Sequence, residues 1–192
     1  MKGTKEVERK AKIKAHSDKT KDMPRNGLIA FCTFYKFSDT AHLLPSNDDP
    51  FDVCYRGTSV LTKLHFRLKS TVKDGSRVKE FSVTLYPNSV FIIPLSTNRL
   101  YTHEIKPSVL PIDRIPVRMG YVIRCSRTWA IHGSNTFIIG DDGKPIKLEE
   151  GTIDDINRLR NLYFRENVTD ELMDYGPVHF SMNKGDYLRP LV

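Results

Sequence analysis

The sequence predicts a mainly β fold, an all-β barrel or jelly roll followed by a C-terminal helical extension. Short strand-like apolar segments alternate with turn signals rich in Pro, Gly, Asn and Asp from residue 27 to about residue 145. Apolar residues at helical spacing come only late in the chain. A chain of 192 residues, 39% hydrophobic and 28% charged, is ordinary for a globular protein with one core and an appendage.

The strand-like segments follow one another in chain order. Residues 27–37 (GLIAFCTFYKF) are short and aromatic and predict a buried strand, whereas residues 38–58 lack periodicity and predict a long inserted loop. Alternating apolar residues in 63–69 and 79–85, on either side of the turn signal KDGS, predict a hairpin. The continuous apolar run VFIIPL at 90–95 predicts a strand that is buried on both faces.

Two more extended segments, 116–124 and 129–140, precede the turn DDGKP. A helix is predicted near 152–166, because Thr152 can cap it and apolar residues then recur at helical spacing: Ile153, Ile156, Leu159, Leu162 and Tyr163. The chain therefore divides into a basic tail (1–10), a β core (11–140) with an inserted loop (38–58), and a C-terminal extension (141–192).

Charge, hydropathy and cysteine content limit the partners and the cellular location that we expect for the protein. The net charge is +7, and residues 1–21 hold eight basic and three acidic residues, which fits either contact with a polyanion or a solvated tail. No stretch has the length of a membrane span or the apolar core of a signal peptide, so we expect no membrane association. Three cysteines without a CxxC pair favour a reducing, intracellular location, cytoplasmic or nuclear.

The segment AKIKAHSDK (11–19) places a histidine and an aspartate two residues apart. In an extended strand His16 and Asp18 would project from the same face. An imidazole and a carboxylate held in this way are two ligands of the 2-His-1-carboxylate triad that binds non-haem Fe(II). A surface pair in a basic tail explains them equally well, so the metal interpretation needs a second histidine. His103 is the candidate because an arginine-bearing segment comes soon after it in the chain.

A strand with two arginines begins fifteen residues after His103. Arg118 and Arg124 bracket RMGYVIR, and their even separation predicts that both leave the same face, roughly 20 Å apart at the backbone. Two guanidinium groups could meet the two ends of a small dicarboxylate, with Gly120 leaving room between them. The alternative is that both arginines lie on a solvated strand face.

The order of these segments, HSD, then strands, then SVFIIPLSTNRLYTHEI, then RMGYVIR, resembles that of the AlkB-like Fe(II)/2-oxoglutarate-dependent dioxygenases, over roughly residues 11–128. The resemblance implies a double-stranded β-helix with His16, Asp18 and His103 as iron ligands. It implies that Arg118 binds the distal carboxylate of the co-substrate 2-oxoglutarate, with Arg124 nearer the metal. It further implies O2-dependent hydroxylation, and demethylation of N-methyl groups, with an alkylated nucleobase of DNA or RNA as the expected substrate.

Three departures from the family pattern bear on activity. The Asn-x-Tyr that contacts 2-oxoglutarate in the family falls on Lys5 and Val7 here, and Gly120 stands where an Asn often follows the first arginine. Only 15 residues precede His16, so we expect the substrate lid of the relatives to be absent. A β-helix without covering elements should expose an apolar flank near the opening of the metal site and tend to associate.

Two other functions compete with the oxygenase. A non-catalytic β-domain of the same fold could bind nucleic acid or protein through the basic strand residues Lys63, His65, Arg67 and Lys69. A zinc module could use Cys32, Cys54 and Cys125 with a histidine, although their spacing matches no zinc pattern and buried thiols explain them better.

Overall fold

A computed structural model describes residues 9–38, 41–139, 142–176 and 178–189. Residues 1–8 of the predicted basic tail, with Lys5 and Val7, lie outside this range. The described chain is mainly β, as predicted, with two α-helices, α1 (Leu95–Leu100) and α2 (Ile153–Val168). The strands are β1 (Ile13–His16), β2 (Leu28–Lys36), β3 (Leu43–Pro45), β4 (Val53–Tyr55), β5 (Thr58–Ser59), β6 (Lys63–Leu68), β7 (Glu80–Thr84), β8 (Ser89–Pro94), β9 (Tyr101–Ile105), β10 (Val117–Arg124), β11 (Trp129–His132), β12 (Thr136–Ile139) and β13 (Pro145–Lys147).

Two antiparallel sheets enclose the main core. One has the order β1-β9-β6-β7 and contains the predicted hairpin β6–β7, and the other has the order β10-β2-β8. Ile29 and Phe31 of β2 pack against Leu64 and Phe66 of β6 in one cluster of buried side chains. The two sheets therefore face each other across this cluster, and residues that alternate along β2 point into it.

The opposite face of the β10-β2-β8 sheet is apolar and exposed. Val90 and Ile92 of β8 are 58% and 54% exposed, so the prediction that residues 90–95 are buried on both faces is wrong. The β2–β8 and β10–β2 registers place these side chains in one surface with further exposed residues of β10 and β2, namely Met119, Tyr121, Ile123, Leu28 and Phe34. We call this surface the outer apolar face. A continuous apolar run does not reveal which of its faces is covered.

The inserted segment is not the unstructured loop that its lack of periodicity predicted. Strands β3, β4 and β5 form a small antiparallel sheet within it. Arg56 and Gly57, with φ of 50° and 77°, make the tight turn between β4 and β5. Strands of two or three residues are too short to show an alternating pattern.

The C-terminal part has a second small sheet and the predicted helix. Strands β11 and β12 form a hairpin, and β13, in the predicted extension, pairs with β12. Thr152 and Asp155 form a capping box at the start of α2, whose Leu159 packs with Tyr175 and Phe180. Among the described helices, none has the length and apolarity needed to cross a bilayer.

Candidate metal centre

Strand pairing brings the two predicted histidine ligands together. His16, the last residue of β1, lies opposite His103 of β9, with 4.5 Å between the ring centroids. Asp18 comes two residues after β1 ends, and its Oδ1 lies 3.7 Å from His16 Nε2. One ligand atom from each of the three residues lies within 4.8 Å of the others. The predicted convergence is thus observed, although 87 residues separate the two histidines.

A backbone contact sets the orientation of His16. Its Nδ1 lies 2.8 Å from the carbonyl oxygen of Lys14, which can only accept, so Nδ1 carries the proton and Nε2 is available to a metal. The Asp18 carboxylate raises the pKa of His16, and this effect outweighs that of partial burial.

His103 is buried in aromatic surroundings. Its ring lies between Phe31 and Phe66, at centroid distances of 5.4 Å and 5.8 Å, and the residue is 3% exposed. Burial, with the nearby His16, lowers the pKa of His103 to about 4. The imidazole is therefore neutral at physiological pH, as a metal ligand must be.

Asp18 presents a carboxylate that stays ionised. Burial acts to raise its pKa, but His16, His103 and Arg124 together lower the pKa below its ordinary value. Asp18 Oδ2 and His103 Nδ1 are buried and have no hydrogen-bond partner. Buried polar atoms are rarely left unpaired, and these two belong to the same cluster. A divalent cation bound between them would satisfy both, so the residues fit the implied metal.

Side chains outside the triad hold the backbone of Asp18 in place. Asn98, which is 1% exposed, accepts from the Asp18 N–H at 2.8 Å and donates to the Asp18 carbonyl at 2.9 Å. Ser17 N–H donates to Asn167 Oδ1 of α2 at 2.7 Å. Sequence reasoning missed Asn98 and Asn167, because contacts across 80 and 150 residues leave no local pattern.

The two predicted arginines occupy different parts of one strand face. Arg124 Nη1 lies 3.8 Å from Asp18 Oδ1, at the metal end of β10. The Arg118 guanidinium lies against Gly120, where an added Cβ would stand 2.6 Å from Nη2. Burial lowers the pKa of Arg118, and its Nε is buried without a partner. The guanidinium stays protonated nevertheless.

The structure does not support the two competing functions at Lys69 or at the cysteines. Lys69 does not continue the basic strand face, because it is 5% exposed and donates to the backbone carbonyls of Glu166 and Thr169 at 2.6 Å and 3.0 Å. In the described part of the chain, no potential metal cluster includes a cysteine. The three thiols are free and lie on or beside different strands: Cys32, Cys54 and Cys125.

A basic groove of about 860 Å³ lies beside Arg118. Its floor includes Val60 and Leu61 of a second apolar cluster. Its charged lining comprises Arg9, Lys63, Lys106, Asp113, Arg114 and Arg118. The groove is therefore strongly cationic, and sequence reasoning did not find it because the residues come from distant parts of the chain.

No protein-family model, curated protein or solved structure matches this chain.

Proposed function

We propose that this chain is an Fe(II)/2-oxoglutarate-dependent dioxygenase of the AlkB-like type. The observation that carries the proposal is the convergence of His16, Asp18 and His103, with one buried and unpaired polar atom on each of Asp18 and His103. Two imidazoles and one carboxylate are the ligand set of the facial triad, which leaves positions open on the metal. Structural zinc sites, by contrast, use four protein ligands.

The winding of the strands supports the double-stranded β-helix, or jelly roll, that the proposal requires. Apart from the β3–β5 insertion, the chain passes from β1 in the first sheet to β2 in the second, then to β6 and β7, β8, β9 and β10, changing sheet at each step except within the β6–β7 hairpin. Alternation between two facing antiparallel sheets is typical of jelly rolls and so supports this proposal. The ligand strands β1 and β9 are neighbours in this arrangement.

The inner face of β10 and β2 fits a small dicarboxylate such as 2-oxoglutarate. The Arg118 guanidinium lies over Gly120 and so extends along the strand toward Arg124. Thr33, which pairs in register with Gly120, is fully buried, and its hydroxyl has no partner. Arg118 Nε is unpaired as well. A carboxylate oxygen of the co-substrate would give both donors an acceptor and would neutralise the guanidinium.

Each residue then has a defined part in the reaction. Bound iron and 2-oxoglutarate supply an O2-dependent decarboxylation to succinate and CO2, in which a substrate C–H bond is hydroxylated. His16, Asp18 and His103 would hold the metal, and Arg124, 3.8 Å from the Asp18 carboxylate, would offset its charge. Hydroxylation of an N-methyl carbon gives a product that releases formaldehyde and the free amine. The proposed substrate is an alkylated nucleobase of DNA or RNA.

The test is spectroscopic and needs no substrate. Under anaerobic conditions, protein with Fe(II) and 2-oxoglutarate should develop the visible charge-transfer band of the chelate. Samples lacking either iron or 2-oxoglutarate should not show it. If the wild-type protein binds Fe(II) without ever giving the band on addition of 2-oxoglutarate, the proposed activity is wrong.

The basic groove favours one alternative, a non-catalytic domain of the same fold that binds nucleic acid. The groove combines a cationic lining with two aromatic residues, Phe37 and Tyr55, and cationic grooves with aromatic side chains are typical of single-strand binding. On this alternative the metal-free protein should bind single-stranded nucleic acid with a steep salt dependence, and Asp18→Ala should leave that binding unchanged. Nucleic-acid binding that requires the metal would favour the oxygenase instead.

A further inference from the structure

We propose that the C-terminal end of α2 positions the metal-ligand loop, residues 17–20, and that Asn167 and Glu166 are its positioning residues. This inference rests on the proposed function, because it assigns the C-terminal extension a role in holding Asp18 at the metal. The contacts that carry it link residues far apart in the chain and meet on one short segment.

Every residue of the loop except Asp18 contacts α2 or the segment after it. Ser17 N–H donates to Asn167 Oδ1 at 2.7 Å, and the Lys19 ammonium lies 4.4 Å from the centroid of the Tyr163 ring. Thr20 donates twice to the Glu166 carboxylate, through its N–H to Oε2 at 3.3 Å and through its hydroxyl to Oε1. Helix α2 therefore contacts three of the four loop residues, and Ser17 Oγ also donates to the carbonyl oxygen of Tyr101 in β9 at 3.1 Å.

The loop needs such support because β1 ends at His16. Asp18 has no strand partner, and its own backbone is held by the paired hydrogen bonds with Asn98 of α1. Asn98 and Asn167 thus act on adjacent residues from different helices. Metal sites depend on ligand positions to within about 0.5 Å, so a loop fixed at one point only would bind metal less tightly.

Glu166 is anchored as a rigid part of this support. It is 6% exposed, and Tyr175 Oη donates to its Oε2 at 2.5 Å. Lys69 Nζ donates to the Glu166 backbone carbonyl at 2.6 Å and so brings a positive charge near the buried carboxylate. An apolar contact would hold the helix without the cost of burying a carboxylate. The carboxylate instead accepts from the backbone of the metal-ligand loop.

Asn167 offers the cleanest separation of a positioning role from a structural one. Asn167→Ala removes the acceptor of the Ser17 N–H, whereas Asn167→Asp keeps an acceptor oxygen at the same place. Asn161→Ala is the matched control, since Asn161 lies exposed on the same helix. Residues that orient metal ligands typically contribute about 10- to 100-fold to metal affinity.

The experiment is a calorimetric titration of Mn(II), an oxygen-stable probe of the iron site, into wild type and the three variants. Thermal unfolding of each metal-free protein is measured in parallel. We expect Asn167→Ala to bind Mn(II) about 10- to 100-fold more weakly, Asn167→Asp to recover most of this loss, and Asn161→Ala to match wild type. Glu166→Gln, which keeps one acceptor oxygen, should weaken Mn(II) binding by a smaller factor than Asn167→Ala.

The possible failures are distinguishable. Unchanged Mn(II) affinity in Asn167→Ala, with a wild type that binds the metal, would overturn this inference alone. Equal loss of affinity in Asn167→Ala and Asn167→Asp, in step with lower thermal stability, would assign Asn167 a structural role only and would also overturn it. A wild type that binds neither Mn(II) nor Fe(II) would overturn the proposed function together with the inference.

Discussion

His16 and His103 are direct cross-strand partners, with their rings 4.5 Å apart on neighbouring strands β1 and β9. Antiparallel pairing alone therefore sets the distance between the two imidazoles. The third candidate ligand, Asp18, lies outside both strands, and its placement depends on the loop that carries it. Strand pairing thus places the two histidines, whereas contacts from α1 and α2 place the carboxylate.

Removal of the carboxylate should abolish metal binding and leave the fold intact. Asp18→Ala deletes one ligand and also the buried, unpaired oxygen, so the metal-free protein loses no hydrogen bond at Oδ2. We expect Fe(II) or Mn(II) affinity to fall at least about 100-fold, with circular dichroism and thermal unfolding nearly unchanged.

Asp22→Ala is the control for this experiment, because Asp22 is a nearby carboxylate that pairs with Lys21 and belongs to no potential metal cluster in the described chain. Wild-type metal affinity in Asp18→Ala would exclude the triad as the binding site.

The pH dependence of metal binding should reflect one histidine rather than two. The pKa of His103 is about 4, so His103 is already neutral at neutral pH and does not compete for a proton there. The pKa of His16 is raised above its ordinary value of about 6.5, so a metal must displace a proton from His16 as the pH falls through that region. The pKa of Asp18 is lowered, and its carboxylate stays charged.

Metal affinity should therefore decline with falling pH by about tenfold per pH unit below the pKa of His16, until His103 begins to protonate near pH 4. Mn(II) titrations between about pH 5 and pH 8 measure this slope. A slope of two protons per metal in this range would show that the apparent neutrality of His103 is wrong.

The outer apolar face should make the chain associate and bind an apolar dye. Ile92 and Ile123 lie on either side of Ala30 in the sheet register and are 54% and 59% exposed. Contiguous apolar patches of this kind are uncommon on monomeric proteins. We expect Ile92→Lys and Ile123→Lys to reduce both dye fluorescence and the apparent mass in size-exclusion chromatography.

Leu172→Lys is the matched control, since Leu172 is equally exposed at 58% but lies outside the sheets. A wild-type protein that remains monomeric and binds no dye would contradict the expected association.

The periodicity of apolar residues correctly predicted individual strands and the main helix. The alternation in β6 and β7 predicted their hairpin, and helical spacing after Thr152 predicted α2. The resemblance to the AlkB-like family, together with the same-face spacing of His16 and Asp18, predicted that these two residues meet His103.

Relations between distant segments could not be predicted from the sequence. Asn98, Glu166 and Asn167 look like ordinary polar helix residues, and only the tertiary fold places them against residues 17–20. Val90 and Ile92 look like core residues in the sequence but are exposed in the structure. The identity of an apolar side chain does not indicate whether another layer of the protein covers it. The same limit applies to Lys69, whose burial depends on the carbonyl groups at the end of α2.

A substitution at Gly120 should weaken the binding of 2-oxoglutarate but not the binding of the metal. A Cβ at this position would stand 2.6 Å from Arg118 Nη2 and 3.1 Å from Cζ, so Gly120→Ala forces the guanidinium to move. The displaced group is the flexible end of a long side chain, and the cost to stability should be small, under about 1 kcal/mol. We expect weaker 2-oxoglutarate binding with unchanged Mn(II) affinity.

Gly133→Ala controls for the substitution itself, because an added Cβ there meets no atom within 4 Å. Equal 2-oxoglutarate affinity in Gly120→Ala and Gly133→Ala would argue against a role for the observed Arg118 position.

Arg118 separates the oxygenase from the nucleic-acid-binding alternative. If it binds the distal carboxylate, Arg118→Ala leaves a buried carboxylate unpaired and should weaken 2-oxoglutarate binding by about 2–5 kcal/mol. Arg118→Lys should recover only part of this, because an ammonium lacks the planar fork of the guanidinium. Metal binding through the triad should survive both changes. Calorimetric titration of 2-oxoglutarate into the metal-loaded proteins measures the effect.

Arg114→Ala is the matched control for Arg118. Arg114 lines the same basic groove but pairs with Asp113 and lies outside β10. On the oxygenase hypothesis, Arg114→Ala leaves 2-oxoglutarate affinity at the wild-type value. On the alternative, both arginine variants weaken nucleic-acid binding to a similar extent and in a salt-dependent way, because each removes one phosphate contact. Equal 2-oxoglutarate affinity in wild type and Arg118→Ala would exclude the proposed carboxylate contact.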